Sequence, residues 1–221
     1  METFTNRFHN KHTYIKINDI KKVKVGDLEV LVKDKPLQIG VYSNQLEVIE
    51  LLKKAGFILK RKCYEVEVNR EDLKNPLEST KGKGKLTKKD EKPYEKASEL
   101  VFKYYRKTHK DVSPLTVGLE VFKDILPEKA FYYEREGQVL MAAFLENEEI
   151  AYIAGFEEKL ADEFINDLLK YLFKNHQEIY FESDNTDPLA TRLRNKFQTK
   201  SDLTFDTYIK YKYGENGRWL K

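Results

Sequence analysis

The sequence predicts a mixed α/β protein in which a largely antiparallel central sheet is flanked by helices. Alternating or wholly apolar runs of strand length recur along the chain, among them "LQIGVYS", "QVLMAAFLE" and "IAYIAGF". Amphipathic stretches with helical spacing stand between them. One order occurs twice, over Leu37 to Val68 and over Glu178 to Tyr211: an apolar strand, a Ser/Asn/Asp turn, a helix ending in Phe, and an alternating strand. Such an internal repeat points to two related modules, although any strand-helix-strand unit shares the pattern.

Taken in order, "HTYIKI", "LEVLVK" and "LQIGVYS" read as strands by alternation and β-branched content. "NQLEVIELLKKAGF" reads as a helix with Asn44 as its cap and Gly56 as its stop. "ILKRKCYEVEV" returns as a strand. Between Asn69 and Lys92 apolar residues almost vanish and Lys, Gly, Ser and Pro take over, which marks a linker or loop. The expected division is therefore residues 1–70, a segment over 71–93, and a second module over 94–221.

In that second module, "PYEKASELVFKYYRKTH" and "TVGLEVFKDIL" predict two helices, the latter started by Ser113 and Pro114. "AFYYERE" and "QVLMAAFLE" form a hairpin about Glu136 and Gly137. "IAYIAGF" is apolar enough to be central in its sheet. A long helix, "EEKLADEFINDLLKYLFKNH", follows, then the strand "EIYFES", the helix "DPLATRLRNKF" and the strand "TFDTYIKYK".

Composition bounds the function classes. The chain has 221 residues, 40 Lys+Arg against 37 Asp+Glu, a net charge of +3 and 35% charged residues, so its charge balance argues against a nucleic-acid partner. Its 14 Tyr and 13 Phe supply a core. The single cysteine, Cys63, excludes an intramolecular disulfide and fits a reducing compartment, and the four histidines lack metal-ligand spacing. No run approaches the roughly 18 apolar residues of a membrane span, and the N-terminus lacks a signal-peptide core. The expected setting is cytoplasmic, without a metal or a membrane partner. A homo-oligomer is compatible with the composition.

The order of the second module, together with its strand-turn-helix-Phe-strand ending, resembles the GNAT (Gcn5-related N-acetyltransferase) family of acyl-CoA-dependent enzymes. The family's last-helix motif is matched best in the first module, by Asn44, Val48, Leu51, Leu52, Lys54, Gly56 and Phe57. In the second module Asn185, Ala190, Leu193, Arg194 and Phe197 follow it with the glycine lost and the spacing shortened. The resemblance implies a tandem chain whose first copy keeps only the C-terminal half.

It also implies acetyl-CoA as co-substrate and transfer of its acetyl group to an amine, whose identity the sequence does not specify, by direct attack. The pantetheine would lie along Ile153, Ala154, Gly155 and Phe156, with the pyrophosphate on the helix start near Lys159. Asn185, Arg192 and Arg194 would form the other wall. A strand amide near Ala154 and Gly155 would polarise the acetyl carbonyl.

The chain departs from the family pattern in two places. The family puts Arg or Gln and two glycines at this junction, whereas here Gly155 is the only glycine and Glu157, Glu158, Asp162 and Glu163 follow it. Where the family often carries an acid Tyr on the last helix, these copies have Leu52 and Arg194, leaving Tyr208 or Tyr211 to protonate the thiolate. Glu146 and Glu149 are the candidate general bases. The competing expectation is a binding or regulatory module that keeps the fold without turnover.

The sharpest basic run, Lys81 to Lys89, lacks the phosphate-loop signature. It reads as a solvated linker or as a segment that folds over the cleft and supplies phosphate contacts. Tyr104, Tyr105, Tyr132 and Tyr133 read as cleft lining or as core.

Overall fold

The computed structural model describes residues 1–80 and 82–212. In chain order the elements are β1 (Glu2–Phe4), β2 (Thr13–Lys16), α1 (Val25–Glu29), β3 (Leu37–Tyr42), α2 (Leu46–Lys54) and β4 (Ile58–Asn69). There follow β5 (Lys85–Lys88), α3 (Lys92–His109), α4 (Leu119–Lys123), β6 (Lys129–Arg135), β7 (Gln138–Glu146), β8 (Glu149–Gly155), α5 (Glu158–Asn175), β9 (Glu178–Asp184), α6 (Pro188–Arg194) and β10 (Thr204–Lys210). Two compact units result. The first holds Met1–Cys63, His109–Val117 and residues 203–212; the second holds Tyr64–Thr108 and Gly118–Asp202, in each case among the described residues.

In the first unit β1 pairs antiparallel with β2, β2 parallel with β3, and β3 antiparallel with β10. Leu37, Ile39 and Val41 alternate onto one face of β3 and pack with Leu28 of α1, Ile49 and Leu52 of α2, and Tyr208 of β10. Gly56 takes φ +79°, the left-handed stop that lets Phe57 N–H bond back to Leu52 O at 2.9 Å. Gln45, one residue later than expected, is the N-cap of α2, and its side chain accepts from Tyr42 N–H at 2.9 Å. The stretch "LEVLVK" does not form a strand: Asp27 accepts from Lys24 N–H at 2.8 Å and turns the chain into α1, which buries Leu28 completely. The segment from His109 to Val117 joins this unit partly through Thr116, whose N–H and hydroxyl both donate to Phe8 O. That use of Thr116 leaves α4 only five residues, Leu119–Lys123.

The second unit has the strand order β9-β8-β7-β6-β5, with the end of β4 next to β9. β5 to β8 are antiparallel to their neighbours, and β8 and β9 are parallel. The β6-β7 turn places Glu136 and Gly137 at φ +52° and +74°, the conformation that suits the twist of a tight hairpin. One face of the sheet carries α3 and α4, through Tyr94 on Phe144 and through Tyr105 and Phe122 on Tyr152. The other carries α5, where the fully buried Phe164 meets Phe131 and Tyr133.

The low-complexity stretch is more ordered than its composition implies. It contains β5, and Gly84 does steric work: a Cβ there would sit 1.9 Å from the Phe131 ring, so only glycine lets the chain lie there. Asp167 of α5, 6% exposed, accepts from the Thr80 hydroxyl, from Lys83 N–H at 3.1 Å and from the Tyr133 hydroxyl at 2.6 Å. Lys83 pairs with Glu163 at 3.1 Å and Lys85 with Glu134 at 3.6 Å. These lysines therefore tie the segment to α5 and to β6, the strand that β5 joins, rather than to the β8-β9 side of the sheet. Lys81 lies outside the described residues.

Gly155 has a packing role that the sequence does not reveal. A Cβ there would stand 2.2 Å from Met141 Sδ and 3.0 Å from Leu140 O, so β7 presses on the end of β8 where the side chain is missing. Gly155→Ala is expected to cost about 1–3 kcal/mol in urea unfolding. Much of that loss should disappear in a Met141→Ala background, because the contacting sulfur is then gone; equal losses in both backgrounds would refute the contact.

Candidate active site

The parallel strands β8 and β9 pair only at Glu149↔Tyr180 and Ile150↔Phe181. Beyond those residues they diverge. The cause is visible on the other side of β8, where the register with β7 passes from Phe144↔Tyr152 to Leu145↔Ile150 and leaves Ala151 unmatched. This extra residue is a bulge, which bends and twists β8 away from a straight path. The result is a fork between Ala151–Gly155 on one arm and Glu182–Asp184 on the other. Backbone polar groups along it are not used in a β8-β9 ladder.

At the narrow end of the fork stands Glu149, cross-strand from Glu146. Burial is the largest cause raising the Glu149 pKa, followed by the negative charges of Glu146, Glu182 and Glu148. Tyr152, half-buried against Tyr105 and Phe122, also has its pKa raised, first by desolvation and then by Glu182 and Glu149. Ile153 is 9% exposed and Ala154 is fully buried.

At the wide end, Asp187 caps α6: its Oδ1 accepts from Leu189 N–H at 2.9 Å and Ala190 N–H at 3.1 Å, and Pro188 opens the first turn. Tyr104 of α3 reaches the same cap. Its hydroxyl donates to Asp187 Oδ1 at 2.7 Å, while its ring meets Phe156 edge-on at 5.6 Å. Burial, then the charge and the hydrogen bond of Asp187, push the Tyr104 pKa far up. One side chain thus joins the end of β8 to the start of α6. Phe156 itself is 46% exposed and lies under the Lys107 ammonium at 5.2 Å.

The start of α5 has Glu157 as an N-cap without a side-chain cap bond. Its acidic residues are met by cations from α6 and the chain just after it: Arg192 donates to Glu158 O at 3.1 Å and stands 3.8 Å from Asp162, and Lys196 pairs with Asp162 at 3.2 Å. Lys159 is exposed on the first turn. Arg192 thus stands beside the start of α5. Arg194 is not directed there, because its guanidinium stacks on the Tyr64 ring at 3.5 Å, and Asn185 is exposed in the β9-α6 turn.

The two candidate acids on the last strand belong elsewhere. Tyr208 is 3% exposed within the hydrophobic core of the first unit, and Tyr211, also in that unit, has its ring under the Lys60 ammonium at 5.5 Å. Neither is in the unit that carries the fork. The alternating sequence of β10 does not reveal this, because the unit is set by its pairing with β3. Sequence reasoning missed Tyr152 and Lys196, and it left Tyr104 undecided between cleft and core. The Asp187-Pro188 pair was a legible helix-start signal for the cap that Tyr104 meets.

No family model and no curated protein matches the sequence. Among solved structures, the fold is similar to the GCN5-related N-acetyltransferase from Sphaerobacter thermophilus, with a TM-score of 0.53 and 10% identity over 95% of this chain and 75% of that one. It is similar also to the GCN5-related N-acetyltransferase from Kribbella flavida, with a TM-score of 0.52 and 10% identity over 92% of this chain and 82% of that one. A conserved protein of unknown function from Enterococcus faecalis V583 gives 0.53 and 11% identity over 94% of this chain and 56% of that one. The fold is thus the GNAT acyltransferase fold. No helix among the described residues is long and apolar enough to cross a membrane.

A carboxylate whose pKa is raised in the native state favours that state most when protonated. Its contribution is complete below the unfolded pKa and is lost as pH rises through the raised value. Glu149→Gln is therefore expected to raise the melting temperature at pH 8 and to leave it nearly unchanged at pH 4. A loss of stability at pH 8 would show that Glu149 is held by favourable partners rather than repelled.

Proposed function

We propose that the protein is an acyl-CoA-dependent N-acetyltransferase whose chemistry runs in the β8-β9 fork. The observation that carries this reading is the two-residue parallel pairing that opens after the bulge at Ala151. Unladdered strand amides between Ala151 and Gly155 suit an amide-rich pantetheine and an acetyl carbonyl, to which a backbone N–H can donate.

The residues present fit acetyl-CoA in one respect by substitution. Arg192 and Lys196 partly neutralise the acidic start of α5, where the family uses glycines and an Arg or Gln. Lys107 and Lys159 add positive charge at the same end. The co-substrate supplies an activated acetyl thioester.

Glu149 takes the role of general base. Its raised pKa brings it closer to the working pH, and its carboxylate neighbours favour arrival of the amine as a cation. Glu149 accepts the ammonium proton, the freed amine forms the C–N bond at the carbonyl, and the C–S bond breaks as the departing sulfur takes up the second proton lost by the nitrogen. Tyr104 is the hydroxyl at the wide end, held by Asp187 and far from ionising. It serves as a proton donor only if its bond to Asp187 is exchanged.

The same feature favours the competing reading, a binding or regulatory module without turnover. Tyr104 ties the end of β8 to the cap of α6, and that tie must loosen if a ligand passes between them. A tandem origin is consistent with the first unit, where β2 and β3 are also parallel over only Thr13↔Leu37 and Tyr14↔Gln38 before α2 follows.

Calorimetric titration with acetyl-CoA separates the readings. The transferase reading expects saturable micromolar binding that falls about tenfold in Arg192→Glu. It also expects amine-dependent release of CoA that drops at least about 100-fold in Glu149→Gln and is partly restored at higher pH, where more amine is already deprotonated. Binding without CoA release for any amine would support the module. No binding at all would overturn both assignments of the fork to an acyl-CoA.

A further inference from the structure

A cavity of about 350 Å³ opens elsewhere in the second unit, between the chain after the short helical turn Arg70–Asp72 and the C-terminal half of α5. Arg70, Lys74 and Lys170 line it, together with Leu73, Pro76 and Leu77, and among the described residues no carboxylate does. Lys170 is twelve residues along α5 from Glu158, about 18 Å at the helical rise, so this is not the fork end of that helix.

The walls are pinned. Leu73 bridges to Phe197, Lys74 N–H donates to Lys196 O at 2.9 Å, and Gln198 N–H donates to Asp72 O at 2.8 Å. The Lys170 ammonium is aimed by Glu78 O at 2.5 Å and Thr80 Oγ1 at 3.0 Å, which uses two of its three protons. Three acids adjoin this cluster in sequence, Glu71, Asp72 and Glu78, and none of them lines the cavity; Asp72 accepts from Asn69 N–H at 2.9 Å and pairs with Lys200 at 3.4 Å. Among the described residues, the Arg70 and Lys74 side chains have no ion-pair partner. Three cations thus converge on one concavity with an apolar side, and its loop is already fixed before any ligand arrives.

We propose that this cavity binds the phosphoryl group of a small phosphate monoester. Arg70 presents the planar fork that matches two phosphate oxygens, and Lys74 and the remaining proton of Lys170 meet the rest of the dianion. Leu73, Pro76 and Leu77 take the apolar body of the ester. A bound ligand would clamp the segment that follows β4 onto α5, independently of whether the fork turns over acetyl-CoA.

The full chain is titrated by calorimetry at constant ionic strength with phenyl phosphate, inorganic phosphate and benzoate. The proposal expects saturable binding of phenyl phosphate below about 1 mM, weaker binding of inorganic phosphate, and benzoate weaker than phenyl phosphate by at least about tenfold. Arg70→Gln/Lys74→Gln should weaken phenyl phosphate by at least about tenfold with an unchanged melting temperature, whereas Lys103→Gln, on exposed α3 surface, should not. Because Arg70 and Lys74 are exposed, the variant should fold; if it does not, Lys74→Gln alone must still weaken binding. Four results would each overturn the site: no saturation by about 10 mM, equal affinity for benzoate, the same loss in Lys103→Gln, or binding unaffected by the Arg70 and Lys74 changes.

Discussion

The fork in the second unit rests on one constraint, the residue Ala151 left unmatched in the β7-β8 pairing. An antiparallel hairpin and a parallel neighbour impose different demands on β8. The bulge falls at the residue where the β8-β9 ladder stops. With it, the β7 side stays paired as far as Gly155 while the β9 side is released after Ile150. Everything assigned to the fork depends on that release: the unladdered amides, the exposure of Glu149 to Glu182 across the narrow end, and the span that Tyr104 bridges at the wide end.

Local electrostatics around the fork are divided by position. The narrow end collects carboxylates and aromatic rings, and burial there keeps protons on Glu149 and Tyr152 to a higher pH than usual. The wide end collects cations from α3 and α6 around an acidic helix start. This polarity suits the proposed transfer to an amine, with a base where the amine would arrive and positive charge where a phosphorylated carrier would depart. The acidic start of α5 is partly neutralised by Arg192 of α6 and by Lys196 just beyond that helix.

The sequence made much of the element order legible, because apolar period distinguishes the long helix α5 and the buried strands β7 and β8 without reference to contacts. Gly56 was readable as a helix stop, since its left-handed backbone is a local requirement. Other features were not local. "LEVLVK" alternates like a strand, yet Asp27 caps a helix start and Leu28 is drawn into a core. The Lys/Gly-rich stretch has linker composition, yet Asp167, distant in sequence, supplies the acceptor that fixes it.

The sequence by itself determined most of the longer helices and strands and which of their faces are apolar, because those follow from periodicity and side-chain sterics along neighbouring residues. It also supplied the GNAT-like order. Only the tertiary structure decided where strands stop pairing and which unit each closing strand joins. The strand that closes the first repeat ends in the second unit, and the strand that closes the second pairs with β3 in the first. Tyr208 therefore belongs to a core rather than to the fork, and Arg194 to the Tyr64 ring rather than to the helix start. The physical reason is that register and partner choice are set by burial summed over distant residues, which no short window of sequence contains.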